Sequence, residues 1–203
     1  MLRPVSMQLD DIPIPPVVRG QIAQWHAAIQ AFHDRWDREL IEMFVASDYE
    51  LVYQALCWIT RNNEAVGRHF CEWGCGFGCV ASLASSLGWD AIGIEAEQPL
   101  IDEAHFWVDR WGHPVQLVRA DFLPRGAARL AEDYSFPSLG HEQLPNAYDV
   151  IDLEVDDFAL VFAYPWPGED QFFEAVFDRY GQRDGLLLLF RGPNDLVLKR
   201  KVR

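Results

Sequence analysis

The stretch Phe70-Cys71-Glu72-Trp73-Gly74-Cys75-Gly76-Phe77-Gly78 decides how the chain is read. The run from Arg68 to Trp73 predicts a strand and the residues from Gly78 to Leu87 predict a helix, so the glycines fall on the turn between them. Alternate glycines let a backbone turn sharply and approach a ligand with no Cβ in the way, while the helix that follows offers free N–H groups. A ligand with polar oxygens, or a nucleoside, is expected there. A purely structural turn uses glycine too, so the neighbouring strands carry the rest of the reading.

Working outward, further strands are predicted near 90–95, 115–120, 159–164 and 185–190, with helices near 98–111 and 169–180 between them. That alternation is the pattern of an α/β domain with a mostly parallel sheet. Pro99 suits a first helical turn, and Gly88, Gly112 and Gly181 suit left-handed C-terminal positions. Only Arg191 to Asp195 separate the fifth of these strands from Leu196-Val197-Leu198, too short a link for a crossover helix, so an antiparallel last strand is expected. Residues 122–158, broken by Pro124, Pro137, Gly140 and Pro145, read as an insertion in which Val150 to Val155 offers a strand.

Upstream, residues 1–19 with Pro4, Pro13, Pro15 and Pro16 read as an extended arm, and residues 20–66 as an N-terminal helical section. Its first helix carries Ile22, Trp25, Ile29, Phe32, Trp36, Leu40 and Met43 as one apolar stripe. Ser47 and Glu50 have the spacing of a capping box for a second helix, which runs to about Arg61. Residues 67–203 form the main domain.

The chain has 203 residues, 50% of them hydrophobic and 13% aromatic, which excludes disorder of the whole. Its formal net charge of -14, from 31 acids against 17 bases, weighs against nucleic acid as a partner. From Glu132 to Asp170 there are ten acids and no Lys or Arg. No apolar run is long enough for a membrane span, and Met1 to Pro16 lack the apolar core of a signal peptide, so a cytoplasmic protein with reduced thiols and no membrane partner is expected. Cys71, Cys75 and Cys79 interleave with glycines on a strand and turn, and the histidines show no ligand spacing, so no metal is expected. The tail Lys199-Arg200-Lys201-Val202-Arg203 reads as a charged edge strand rather than a nucleic-acid contact.

Two more residues add to the loop. Glu95 ends the second of the main-domain strands, where an acid can accept from both hydroxyls of a ribose. Asp121 stands just past the third, where its carboxylate can meet an exocyclic amino group and Phe122 can cover an adenine face.

With Glu72-x-Gly74-x-Gly76-x-Gly78, Glu95 and Ala120-Asp121-Phe122 in these places, residues 68–190 resemble the class I methyltransferases, which use S-adenosylmethionine. The resemblance implies a Rossmann-like parallel sheet with flanking helices. It also implies bound S-adenosylmethionine, with Glu72 near the methionine amino group, Glu95 with Ala96 at the ribose, and Asp121 with Phe122 at the adenine. Gly74, Cys75, Gly76 and Gly78 would then form the cofactor loop. A dinucleotide fingerprint would have glycine in place of Cys79 and an apolar residue in place of Glu72. Phe44-Val45-Ala46-Ser47-Asp48 and Val52-Tyr53-Gln54-Ala55-Leu56 also look like the start of protein-lysine methyltransferases related to the ATP synthase c-subunit lysine methyltransferase. That likeness implies Ser47 near the methionine carboxylate, although a plain N-cap explains it too.

The fourth of these strands ends Phe162-Ala163-Tyr164-Pro165-Trp166-Pro167-Gly168-Glu169. The Asp/Asn-Pro-Pro-Tyr motif of amino-group methyltransferases acting on bases or glutamine is absent, with Ala163 where its polar residue would stand. Tyr164 and Glu169 are the catalytic candidates, as groups that can take a proton from an amine. The expected function is methyl transfer to an amine acceptor, a protein lysine or a small amine. The alternatives are a non-catalytic S-adenosylmethionine-binding protein on the same fold and a small-molecule O- or N-methyltransferase.

Overall fold

The computed structural model describes residues 1–36, 41, 44–127, 129–130 and 144–202. In chain order the elements are β1 (Leu2–Val5), α1 (Pro16–His33), α2 (Tyr49–Arg61), β2 (His69–Trp73), α3 (Cys79–Ser86), β3 (Asp90–Glu95), α4 (Gln98–Trp111) and β4 (Val115–Arg119). There follow α5 (Ala147–Ile151), a 3-10 turn (Val155–Asp157), β5 (Leu160–Ala163), α6 (Asp170–Tyr180), β6 (Leu186–Gly192) and β7 (Asp195–Lys201). The strands form one sheet in the order β1-β7-β6-β5-β2-β3-β4. Strands β2 to β6 run parallel, and β7 returns antiparallel to β6 because their link is too short to cross the sheet. The α/β class with an antiparallel late strand is therefore as the sequence predicts.

Both faces of the sheet are covered, so the parallel strands read as near-continuous apolar runs. One face packs Phe70, Phe162, Leu186 and Leu188 beneath α1, α2 and α3, centred on the fully buried Trp25. The other face packs Trp73, Val161, Leu187 and Leu189 against Phe172, Phe173, Val176 and Phe177 of α6.

Several local expectations are corrected. The arm supplies β1, which pairs antiparallel with β7 from Leu2↔Lys201 to Val5↔Leu198, so the basic tail is not an edge strand. Leu2 and Val5 face opposite sides of the sheet and join the two cores, which gives this short strand an apolar reason to add on. Three of the tail cations are also engaged: Lys199 pairs with Glu174, Arg200 with Glu64, and Lys201 Nζ donates to the Gly181 carbonyl at 2.6 Å.

Helix α1 begins at Pro16 and stops at His33, leaving Trp36 95% exposed, while Leu40 and Met43 lie outside the described residues. The cap of α2 is Asp48, not Ser47: Asp48 Oδ1 accepts from Leu51 N at 3.1 Å, a charge-assisted bond that leaves Ser47 buried one residue outside the helix. Val150 to Val155 form no strand. Asn146 Oδ1 accepts from Tyr148 N at 3.1 Å to cap α5, left-handed Asp152 (φ 56°) ends it, and Glu154 and Asp157 close the 3-10 turn. Gly88 and Gly112 are left-handed as expected, but Gly181 has φ -67°. Glycine is required at Gly181 by contact instead, since a Cβ there would lie 2.7 Å from the Phe177 ring.

Candidate cofactor and acceptor cleft

From β2 the chain moves outward through β3 to β4, then returns to the other side of β2 for β5 and β6. Such a reversal opens a crevice beyond the C-terminal ends of the two central strands, where open α/β sheets bind ligands. Here those strands are β2 and β5, and Trp73 pairs with Ala163 at their last register position. Gly74 and Tyr164 are thus the first residues past the last paired position, where the two strands leave the sheet at the mouth of the crevice.

The glycine loop is held by backbone bonds. Gly74 N and Cys75 N both donate to the Ile94 carbonyl at 2.9 Å, and Gly78 N donates to the Cys75 carbonyl at 2.7 Å. Gly74, Gly76 and Gly78 have φ of +71°, +51° and +68°, values that side-chain-bearing residues rarely adopt. A Cβ on Gly74 would meet nothing within 4 Å, which marks the open side of the loop. A Cβ on Gly76 would lie 2.5 Å from Cε2 of Phe44. Phe44 stacks on Phe77 with ring centroids 5.1 Å apart and meets Phe32 edge-on. It sits in the Phe44 to Asp48 segment, yet nothing in the spacing there marks it as a wall of the loop.

The two acids at the strand ends differ sharply. Glu95 Oε2 accepts from Gly76 N at 2.8 Å, while Oε1 accepts from Ala96 N at 2.8 Å and Glu97 N at 3.0 Å. Burial raises the Glu95 carboxyl, and these three donors pull against that rise. Among the described residues Glu72 accepts from Ala81 N alone, at 2.7 Å, and burial pushes its carboxyl well above the ordinary range. Buried Tyr49 stands beside Cys79 and Glu72; its ring lies 5.2 Å from His26 and 6.0 Å from Trp25. Nothing in the helical spacing of 49–61 marks Tyr49 as a neighbour of these groups.

The other sequence-predicted residues are distributed around this centre. The four cysteines are free and buried. The Cys75 thiol faces the sheet, where a Cβ on Gly93 would come within 2.9 Å of Sγ, so only the Cys75 backbone belongs to the loop. Asp121 Oδ1 accepts from Leu123 N at 2.9 Å, and the Asp121 backbone bridges to Pro145 and Ala147. Phe122 packs with Trp73 at 5.4 Å and Phe173 at 5.5 Å, an aromatic trio at the outer end of the crevice. Ser47 is buried between Phe44 and the α2 cap.

On the β5 side, Tyr164 meets Phe190 edge-on at 4.7 Å. Glu169 Oε2 accepts from Trp166 N at 3.1 Å, closing the Pro165 to Gly168 turn, and burial raises its carboxyl. Beyond them, α1, the start of α2 and Asn194 of the β6–β7 turn border an open groove of about 560 Å³ whose polar lining includes Arg19, His26, Asp48 and Glu50. Among the described acids of 132–170, Glu169 stands here but most of the others do not. The Ala159 N to His69 carbonyl bond puts the 3-10 turn acids Glu154, Asp156 and Asp157 near the opposite, N-terminal edge of the sheet. Asp149 pairs with Arg125 at 2.5 Å and Asp170 with Arg191 at 3.5 Å; Glu132, Asp133 and Glu142 lie outside the described residues.

No protein-family model and no curated protein sequence matches the chain. Solved structures do. A methyltransferase from Geobacter sulfurreducens superposes with a TM-score of 0.52 at 12% identity, covering 95% of this chain and 93% of that one. A 16S rRNA methyltransferase from T. thermophilus, in complex with AdoMet and guanosine, superposes with a TM-score of 0.50 at 13% identity, covering 81% of this chain and 45% of that one. With its reversed sheet order and glycine loop, the chain has the fold of the S-adenosylmethionine-dependent methyltransferases.

Proposed function

We propose that this chain is a class I methyltransferase that binds S-adenosylmethionine in the β2–β5 crevice and methylates an amine. The observation that carries the reading is the loop itself: three left-handed glycines at the topological switch point, tied to Glu95 through Gly76 N and flanked by the single-donor carboxylate of Glu72. A buried acid with one donor suits a ligand ammonium, and the open side of Gly74 suits close approach of a ligand chain. The residues present therefore fit the cofactor. Glu72 would hold its amino group, Glu95 its ribose, the Gly74 to Gly78 backbone its linking chain, and Asp121 its adenine. The bound cofactor supplies an electrophilic methyl on a sulfonium.

The chain's own share of the chemistry is to hold an amine in line with that methyl and to receive the amine's proton. Tyr164 and Glu169 are the groups we assign to this side, because Tyr164 follows β5 as Gly74 follows β2 and Glu169 closes the adjacent turn. Burial that raises the Glu169 carboxyl brings it nearer the operating pH, which favours a general base. The net charge of -14 favours a cationic acceptor such as a protein lysine, although the described acids serve caps and ion pairs more than the cleft.

Incubation of the purified chain with methyl-tritiated cofactor and a fractionated lysate tests the acceptor. Label in protein or amine fractions is the expected result. Label only in RNA would replace the amine acceptor with a nucleic acid, an outcome the fold permits since one structural neighbour is an rRNA methyltransferase. Tight S-adenosylhomocysteine binding without label in any fraction would favour a non-catalytic binding protein.

A further inference from the structure

The groove between α1, α2 and the β6–β7 turn has no part in holding the cofactor. It is about 560 Å³ in volume, open to solvent, and combines apolar Ile22, Ala23 and Leu51 with polar side chains. Small-molecule sites are enclosed clefts that bury most of their ligand, whereas an open groove of mixed lining suits a chain that runs along it. Two of its borders lead to the crevice. His26 lines the groove, and its ring lies 5.2 Å from that of Tyr49, which stands beside Cys79 at the start of α3, directly after the glycine loop. On the other border Asn194 precedes Asp195, which accepts from Arg191 at 3.0 Å. Arg191 also pairs at 3.5 Å with Asp170, the residue after Glu169. A path of bonded side chains thus joins the groove to the turn that carries Tyr164 and Glu169. Its charge is unbalanced: Asp48, Glu50, Asp170 and Asp195 are four carboxylates against the two guanidiniums of Arg19 and Arg191, an excess of two negative charges. Both arginines are engaged by these acids, Arg19 with Glu50 at 3.7 Å, which disfavours a phosphate backbone along the path.

We propose that this groove docks a protein substrate: a basic, extended segment lies between α1 and the β6–β7 turn and presents its lysine to the mouth of the crevice. This rests on the methyltransferase reading and adds to it the surface that selects a polypeptide over a free amine. Basic side chains flanking the lysine meet Asp48, Glu50 and Asp195, and Ile22 and Leu51 cover the apolar stems of those side chains. Selection of the acceptor is then made on the α1 and α2 side of the molecule, away from the residues that hold the cofactor.

Fluorescence anisotropy tests this with a fluorescein-labelled peptide of alternating lysine and alanine, at about 0.15 M salt to screen diffuse attraction and with S-adenosylhomocysteine in excess. Ala23→Arg puts a cation into the groove from an exposed position of α1, and Gln24→Arg adds the same charge one residue on, outside the groove lining. Wild type and Gln24→Arg should bind the peptide alike, and Ala23→Arg about tenfold or more weakly. All three should bind S-adenosylhomocysteine alike, which shows that Ala23→Arg is folded. N-acetyl-lysine amide at the peptide's concentration should not displace it. Equal peptide binding by Ala23→Arg would overturn the proposal, as would displacement by N-acetyl-lysine amide, which would mark a small-amine acceptor, or by oligouridylate, which would mark a nucleic acid. A wild type that binds S-adenosylhomocysteine but not the peptide would overturn the docking and leave the cofactor reading standing. Failure to bind S-adenosylhomocysteine would overturn both.

Discussion

At the scale of the residue, three positions carry separable physical costs. Gly74 and Gly76 share a left-handed backbone, yet a methyl on the first meets open space and a methyl on the second meets the Phe44 ring. Gly74→Ala should therefore cost only the conformational term, roughly 1–2 kcal/mol. Gly76→Ala should cost about 1–3 kcal/mol more through overpacking, and the Phe44→Ala background should remove that excess. Urea unfolding of the four variants measures this, and equal costs for the two alanines would contradict the placement of Phe44. For Glu72 the sign follows from burial. A carboxyl raised in the folded state favours stability below the ordinary Glu range and loses it as pH climbs through the raised value. Denaturation from pH 5 to 8 should accordingly show wild type losing stability relative to Glu72→Gln as pH rises; a constant difference would mean that Glu72 is ionised throughout. The glycines, Glu72 and Glu95 were legible in the sequence because spacing on a strand and turn fixes them locally. Phe44 was not, since its role depends on a contact across 32 positions that no local period reports.

At the scale of the element, the parallel strands and their helices follow from apolar runs bounded by glycine and proline. What escaped was pairing between chain ends. Leu2 to Val5 carry too few residues for a periodic signal, with Pro4 arguing against a strand, and the unsatisfied edge of β7 together with the burial of Leu2 and Val5 against the two cores explains why they join the sheet. Deleting residues 1–5 should lower the urea midpoint and produce concentration-dependent association through the bared β7 edge. Light scattering would show it; a stable, monodisperse product would mean that β1 contributes little. The misplaced α2 cap has a similar cause: Ser47 and Asp48 both suit the position, and burial of Tyr49 against Cys79 selects the register. Trp25 anchors α1 to this layer with its side chain fully buried, so Trp25→Ala should cost about 3–5 kcal/mol in the same unfolding assay.

Across the whole molecule, the sheet order makes one crevice of β2 and β5 and brings the loop acids to one side of it and Tyr164 with Glu169 to the other. The sequence predicts these strands and a mostly parallel sheet, but not their spatial order. It did not reveal where the negative charge goes, because acids close in sequence are divided between both edges of the sheet and consumed by caps and ion pairs. The most direct measurement of the central claim is calorimetric titration of the chain with S-adenosylhomocysteine, repeated on Gly76→Asp and Glu95→Ala. The expected result is one-site binding by wild type, with a ligand excess of about a hundredfold over Kd adding about 2.7 kcal/mol of stability, and loss of binding in both variants. No binding by wild type, or binding unchanged in the variants, would contradict the account.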